Sequence, residues 1–425
     1  MNDGFDPEVV VAGGGPGGMV TAYLLARSGV RVTLLESHRD FDRDFRGDSL
    51  HPWTLELLDS LGLAGDLLAL PHFAARWFRF HTPHGTIRTT DYGGLPTPYN
   101  YVALMPQSRF LDFMAARAAE LPGFELRLGA KVTGLLVDGE TPDGAPEVTG
   151  VRYRDAASGA ERELRARLVV GADGRFSRMR RLAGLTAEPL GARSDLLWFR
   201  LPRHDDDPPE ADVDLYFGRH HYVGLLGGPT DWQIGYSLPK GGYPAVRDAG
   251  VEPIHRFVAE HVPWLADRVE KLTSMDDTTL LSVDISRVAT WWRPGLLLIG
   301  DAAHVISPVG GNGILMAVQD AVAATNRLVP ALRAGRVGPD VLAAIQADRE
   351  PAIQVVQAQQ VRTEKRVAKA RERGRPMSPP AILRLVTALP GFRVRAARRN
   401  AYGPNPPALD VSLLVTRAQS SDSAA

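Results

Sequence analysis

The run VVVAGGGPGGMVTAYLLA, residues 9–26, sets four apolar residues before five glycines and a proline packed into six positions. An apolar stretch follows, and VRVTLLE (30–36) returns to a strand pattern that ends on an acid. The spacing predicts a buried strand over 9–12, a helix over 16–28 stopped by Gly29, and a second strand over 30–36. This is a βαβ unit with Gly13-x-Gly15-x-x-Gly18 at its first turn. Gly13 permits the tight turn, Gly15 lets a pyrophosphate approach the backbone, and Gly18 lets helix and strand pack closely. A pyrophosphate would sit at the helix N-terminus, where unpaired N–H groups and the dipole favour an anion. Glu36 ends the second strand, 18 residues past Gly18, where it can accept hydrogen bonds from a ribose.

A membrane reading of residues 9–26 fails, because the glycines and proline make a poor spanning helix. The preceding MNDGFDPE is acidic, the wrong sign for a secretory leader. Neither a signal peptide nor membrane insertion is expected. The rest of the composition points the same way. The 425 residues exceed one compact core, and 44% hydrophobic with 23% charged residues suits a globular protein. Lys+Arg and Asp+Glu are both 49, which removes any global electrostatic argument for nucleic acid. The absence of cysteine excludes disulfides, thiolate metal sites and cysteine nucleophiles, and fits a cytoplasmic protein. HDDDPPE (204–210) reads as a solvated loop, and the adjacent His220 and His221 point to opposite faces of a strand.

Working outward, residues 51–70 and 107–121 show helical apolar spacing. Residues 124–139, 147–155 and 165–174 read as strands, the last running into a turn. From 195 to 284 the pattern changes to alternating, aromatic-rich strands with one helix near EPIHRFVAEHVPWL. Segment 77–94 has the same character and is expected in that sheet. The α/β pattern resumes at Gly295. The expected fold class is therefore α/β: a Rossmann-like domain (1–75, 100–185 and 285–360) interleaved with a mostly antiparallel sheet domain (76–99 and 186–284). C-terminal helices and a tail follow (361–425), basic at RTEKRVAKARERGR and disordered at AQSSDSAA.

A second stretch, GDAAHVISPVGGNGILMAVQDA (300–321), decides which dinucleotide. FAD needs a contact region far from its adenosine, and this one follows an apolar strand, GLLLI (295–299). Asp301 is suited to accept hydrogen bonds from ribityl hydroxyls. Pro308, Gly310, Gly311 and Gly313 let backbone amides approach a flat ring. A helix from Asn312 aims its positive end at the ring edge that holds negative charge on reduction. The plainer alternative for Asp301 is a helix cap, and for His304 a packing role.

With these stretches, GADG (171–174) completes a set that resembles the class A flavoprotein monooxygenases, the para-hydroxybenzoate hydroxylase type. The resemblance spans residues 7–330 and implies non-covalently bound FAD. It also implies cofactor contacts for Asp173 and Gly174, a flavin-proximal role for Arg46 in RGDSLHP, a ribityl or pyrophosphate contact for Gln107, and a backbone contact to adenine for Val132. The plainer alternatives are a turn for Asp173, a solvated helix start for Gln107 and a surface ion pair for Arg46. The chain departs from the family's Gly-Leu-Asn after the glycines, reading Gly313-Ile314-Leu315, which keeps Ile314 as a backbone donor only.

No second glycine fingerprint opens a helix, so NADH or NADPH is expected to bind transiently as reductant. The implied reaction passes oxygen through a flavin C4a-hydroperoxide to an apolar, aromatic or polyketide-like small molecule. A flavin-dependent dehydrogenase, oxidase or reductase on the same fold is the alternative. Trp198, Tyr216, Tyr222, Trp232 and Tyr236 are the candidate pocket aromatics, some of which strand alternation must send into the sheet domain's own core. No catalytic residue and no metal ligand is evident.

Overall fold

The computed structural model describes residues 6–42, 48–140, 146–209, 211–308, 310–375, 377, 379 and 382–415. Arg46 and the terminal AQSSDSAA lie outside them. Among the described residues the central sheet has six strands, ordered Trp292–Arg293, Leu296–Leu298, Leu168–Gly171, Val9–Ala12, Val32–Glu36, Phe124–Leu128. All neighbours run parallel except the edge ribbon formed by Trp292–Arg293. Val9, Val10 and Val11 are wholly buried, as a parallel strand covered on both faces requires. Each such side chain contributes about 2 kcal/mol of burial.

A second, seven-stranded sheet is ordered Thr279–Leu281, Ser194–Pro202, Asp231–Pro239, Tyr222–Gly227, Val213–Phe217, Trp77–Thr82, Gly85–Asp91. It is antiparallel save for the pairing of Val213–Phe217 with Trp77–Thr82. The 77–94 segment thus joins the aromatic-rich sheet, as its alternation predicts. One face packs on the helix Glu252–His261 through Ile254 and Val258, and the other faces the parallel-sheet half.

Two expected elements are each divided by one glycine. The 51–70 segment forms Pro52–Ser60 and Ala64–Leu68, because Gly62 adopts φ +72° between them. The 124–139 segment forms Phe124–Leu128 in the parallel sheet and Ala130–Glu140 in a separate antiparallel sheet, with Gly129 at φ +71° turning the corner. Positive φ costs glycine little, so both breaks fall there.

The long helices Gly313–Arg333 and Pro339–Glu372 follow, the second running straight through position 360. Helix Phe392–Tyr402 covers the edge strand Gly85–Asp91, where Asn400 Nδ2 donates to the Tyr92 hydroxyl at 2.5 Å. No described helix is long and apolar enough to cross a membrane.

Candidate active site

The first glycine turn is built as its sequence predicts. Gly13 sits at φ +113°, and a Cβ there would lie 2.5 Å from the Ala172 carbonyl oxygen. A Cβ on Gly18 would lie 2.0 Å from the Gly13 oxygen, so strand and helix touch through bare backbone. Gly15, by contrast, has nothing within 4 Å of its Cβ position. It precedes helix Pro16–Arg27, which carries no side-chain cap, leaving the first-turn N–H groups free for an anion. Glu36 closes the turn: Gly14 N–H donates to its Oε2 at 2.8 Å, and His38 N–H donates to its Oε1 at 3.0 Å.

The GADG loop lies directly behind this turn. Asp173 accepts from the Ser177 hydroxyl and from the backbone N–H of Arg178 at 2.6 Å and Met179 at 3.0 Å. Its carboxylate thereby holds the start of the helix Arg178–Leu182. Gly174 stands at φ +78° with open space on its Cβ side.

The second stretch folds as strand, turn, loop and helix. Asp301 lies half-buried in the turn Gly300–Ala302, within reach of the Arg180 charge. Arg180 donates to the Ala302 carbonyl at 2.9 Å and to the Arg175 carbonyl at 2.9 Å, tying this turn to the GADG loop. Ala317, on helix Gly313–Arg333, lies 3.2 Å from the Cβ positions of both Gly17 and Gly300. That one methyl brings the two glycine motifs together. Gly310 and Gly311 have φ +102° and +68°, and a Cβ on Gly311 would strike the Ser49 hydroxyl at 2.8 Å. Helix Gly313–Arg333 also lacks a side-chain cap; Asn312 Oδ1 is buried without a hydrogen-bond partner among the described residues. Gly313 is open within 4 Å, and the Ile314 side chain is in the core.

Beneath this loop lies a charge cluster that local pattern did not announce. Asp320 accepts from His304 Nε2 at 2.6 Å, from Gly300 N–H at 2.9 Å and from Arg349 Nε at 2.9 Å. All three side chains are buried. Burial works against the ionised carboxyl, but His304 and then Arg349 outweigh it and hold Asp320 below the usual carboxylate range. The turn bearing Asp301 is thus pinned from below by a charge-assisted bond.

Above the loop opens an apolar cavity. One wall is Ser49, His51, Pro308, Gly310 and Gly311; the opposite wall is the seven-stranded sheet. Strand alternation sorts the aromatics: Trp198 and Tyr222 line the cavity, whereas Tyr216, Trp232 and Tyr236 belong to the core under helix Glu252–His261. His51 donates from Nε2 to the Gly311 carbonyl at 3.2 Å, and burial lowers its pKa to about 4, so it is neutral at pH 7.

Gln107 begins helix Gln107–Ala119 and donates its N–H to Asp48 Oδ1 at 3.2 Å, while Gln233 of the large sheet donates to Asp48 Oδ2. Val132 lies on a third sheet, paired with Tyr153, with its side chain buried. Burial pushes the Asp48 carboxyl up to about 6, against the bonds from Gln233 and Gln107. The folded chain therefore holds a proton there that the unfolded chain releases near pH 4, and stability falls as pH rises from about 4 to 6. Asp48→Asn is expected to raise stability by about 2–3 kcal/mol at pH 8 and to match the native chain at pH 4. Denaturant melts at the two pH values measure this.

Sequence reasoning missed Asp320, Arg349, Asp48, Ser49 and His51. For the last three a signal exists, since they stand in RGDSLHP beside Arg46.

Comparison with known proteins gives a consistent picture. The profile of the FAD binding domain family matches residues 6–360. A 6-methylpretetramide 4-monooxygenase of Streptomyces rimosus is 36% identical over 410 residues, covering 94% of this chain and 93% of that protein. The aklavinone 12-hydroxylase DnrF of Streptomyces peucetius is 28% identical, covering 81% and 71%. Among solved structures, PqsL of Pseudomonas aeruginosa, described as a probable FAD-dependent monooxygenase, superposes with TM-score 0.73 at 22% identity, covering 87% of this chain and 99% of that one. At that identity the likeness speaks for the fold.

Proposed function

This chain belongs to the FAD binding domain family, as a class A flavoprotein monooxygenase, and from that premise we propose that it hydroxylates an aromatic, polyketide-like molecule with NADH or NADPH as reductant. The observation that carries the substrate class is the cavity, which joins Pro308, Gly310 and Gly311 to an apolar sheet face.

The residues present fit FAD. Bare glycines at 15, 174 and 313 leave open backbone, two helices start without side-chain caps, and Asn312 Oδ1 is buried without a partner among the described residues. Gly13, Gly15 and Gly18 with helix Pro16–Arg27 would hold the pyrophosphate, and Glu36 the ribose. Asp301 would accept from the ribityl chain, with Gln107 beside it. Pro308, Gly310, Gly311, Gly313 and the Ile314 N–H would face the ring. Asp173 and Gly174 would shape the turn behind it, and the Val132 backbone would lie by the adenine. When bound, FAD supplies the electron transfer and oxygen activation. The chain supplies orientation and a dry chamber, since the cavity lining is apolar apart from Ser49, His51 and scattered aromatic tips.

The 36%-identical relative is named for 6-methylpretetramide, which supports a fused-ring substrate. The test is oxidation of NADH and of NADPH by the FAD-loaded protein, screened over hydroxylated aromatic and polyketide compounds. Substrate-dependent acceleration with a product one oxygen heavier is expected. A rate that no aromatic compound alters counts against the reading.

A further inference from the structure

The cavity wall has a gap in its side chains. Across the seven-stranded sheet, Trp198 pairs with Gly235, Gly235 with Gly224, and Gly224 with Leu215. Directly paired residues share a face, so these four form one row facing the cavity. A central cross-strand pair is where a sheet gains most from side-chain packing, yet this one carries no side chain. Glycine inside a strand marks a place where something approaches the backbone closely.

The two glycines differ in their surroundings. The Trp198 indole lies 3.3 Å from the Cβ position of Gly235 and covers it. Gly224 has nothing within 4 Å and stays half-exposed inside the cavity. Along its own strand Tyr222 and Leu226 stand on either side and also line the cavity. The result is a slot: bare backbone at its base, an indole on one flank, Leu215 on the other, Tyr222 and Leu226 at its ends. Trp198 and Leu215 stand three strand spacings apart, about 14 Å between backbones. The polar groups lie on the opposite wall, where Ser49 and His51 meet the Gly311 loop.

We propose that Gly224 is the specificity-determining residue of this site: its missing side chain admits a planar fused-ring substrate, stacked beside Trp198, whose polar edge faces Ser49 and His51. This deepens the functional reading above and rests on it for the identity of the cavity. A single ring has no need of the slot.

The test uses FAD-loaded protein and calorimetric binding of 1,8-dihydroxyanthraquinone and of catechol, without NAD(P)H. Gly224→Val adds its side chain into open space on a strand that prefers β-branched residues, so FAD content and Tm hold or rise. Anthraquinone affinity is expected to fall about tenfold to hundredfold, while catechol stays within about twofold. Gly224→Ala should fall between, and it carries the test if the valine variant does not fold. Unchanged anthraquinone affinity in the variants overturns the proposal, as does an equal loss of both ligands or a native protein that binds catechol alone. A chain that shows the selective loss but never oxidises NAD(P)H with any aromatic compound keeps the slot and loses the monooxygenase reading.

Discussion

Gly18→Val is expected to abolish FAD binding and to cost the fold about 4 kcal/mol or more, among the largest effects a point substitution produces. Its Cβ would stand 2.0 Å from the Gly13 carbonyl oxygen and 3.0 Å from the Ala172 Cβ. Both obstacles belong to the parallel sheet's own strand ends, so no side chain can swing away to relieve the clash. Gly15→Ala is the informative contrast. Nothing lies within 4 Å of that Cβ, so the apoprotein should melt like the native chain. The new methyl would instead meet the pyrophosphate, and FAD affinity alone should fall. Thermal melts and FAD titrations on both variants read the two effects separately. A Gly18→Val protein with native Tm and FAD affinity would mean that helix and strand do not pack as described.

Asp320→Ala is expected to cost about 3–5 kcal/mol, because it strands the buried Arg349 guanidinium without its counter-charge and His304 Nε2 without its hydrogen-bond partner. Arg349 and His304 are 1% and 2% exposed, so water cannot replace the carboxylate. The Gly300 N–H loses its acceptor as well, which loosens the turn that carries Asp301. FAD affinity should therefore weaken although Asp320 lies beneath the loop. The pH dependence follows from the direction of the shift. Burial alone raises the carboxyl, but His304 and Arg349 hold it below its unfolded value. Its stabilisation is thus fully present above about pH 4 and lost as pH falls through the depressed folded value. Between pH 3 and 7 the denaturant midpoints of the native chain and Asp320→Asn should draw closer only below about pH 4. Parallel curves across that range would show that the ion pairs contribute nothing.

The parts of this fold legible in sequence were those set by neighbours along the chain. The Gly13–Gly18 turn, the strand ending at Glu36 and the aromatic alternation of 77–94 and 195–239 all express local backbone demands. The breaks at Gly62 and Gly129 were equally local but went unread, since 51–70 and 124–139 each read as one element; an isolated glycine in an otherwise regular pattern is the signal that marks such a site. The Asp320–Arg349–His304 cluster could not be read in that way. Its members sit on different elements, and Asp320 and Arg349 are 29 positions apart. Each is an ordinary polar residue until the helices pack. Alternation likewise said that some of the aromatics must enter the sheet domain's own core, but only strand register and the layering of the two sheets place Trp198 at the cavity and Tyr236 in the core. Asp173 shows the converse: a residue in a recognisable motif whose carboxylate, in the structure, is occupied by Ser177 and the helix start.

On the proposed function, an atom of molecular oxygen enters an aromatic substrate in the cavity above Pro308, Gly310 and Gly311. This is tested most directly by turnover of FAD-loaded protein under 18O2 with NAD(P)H and a hydroxylated polycyclic polyketide, followed by mass analysis of the product. One 18O atom in each new hydroxyl is the expected result. A product formed without label, by loss or gain of hydrogen alone, would contradict it and identify a dehydrogenase or reductase on the same fold.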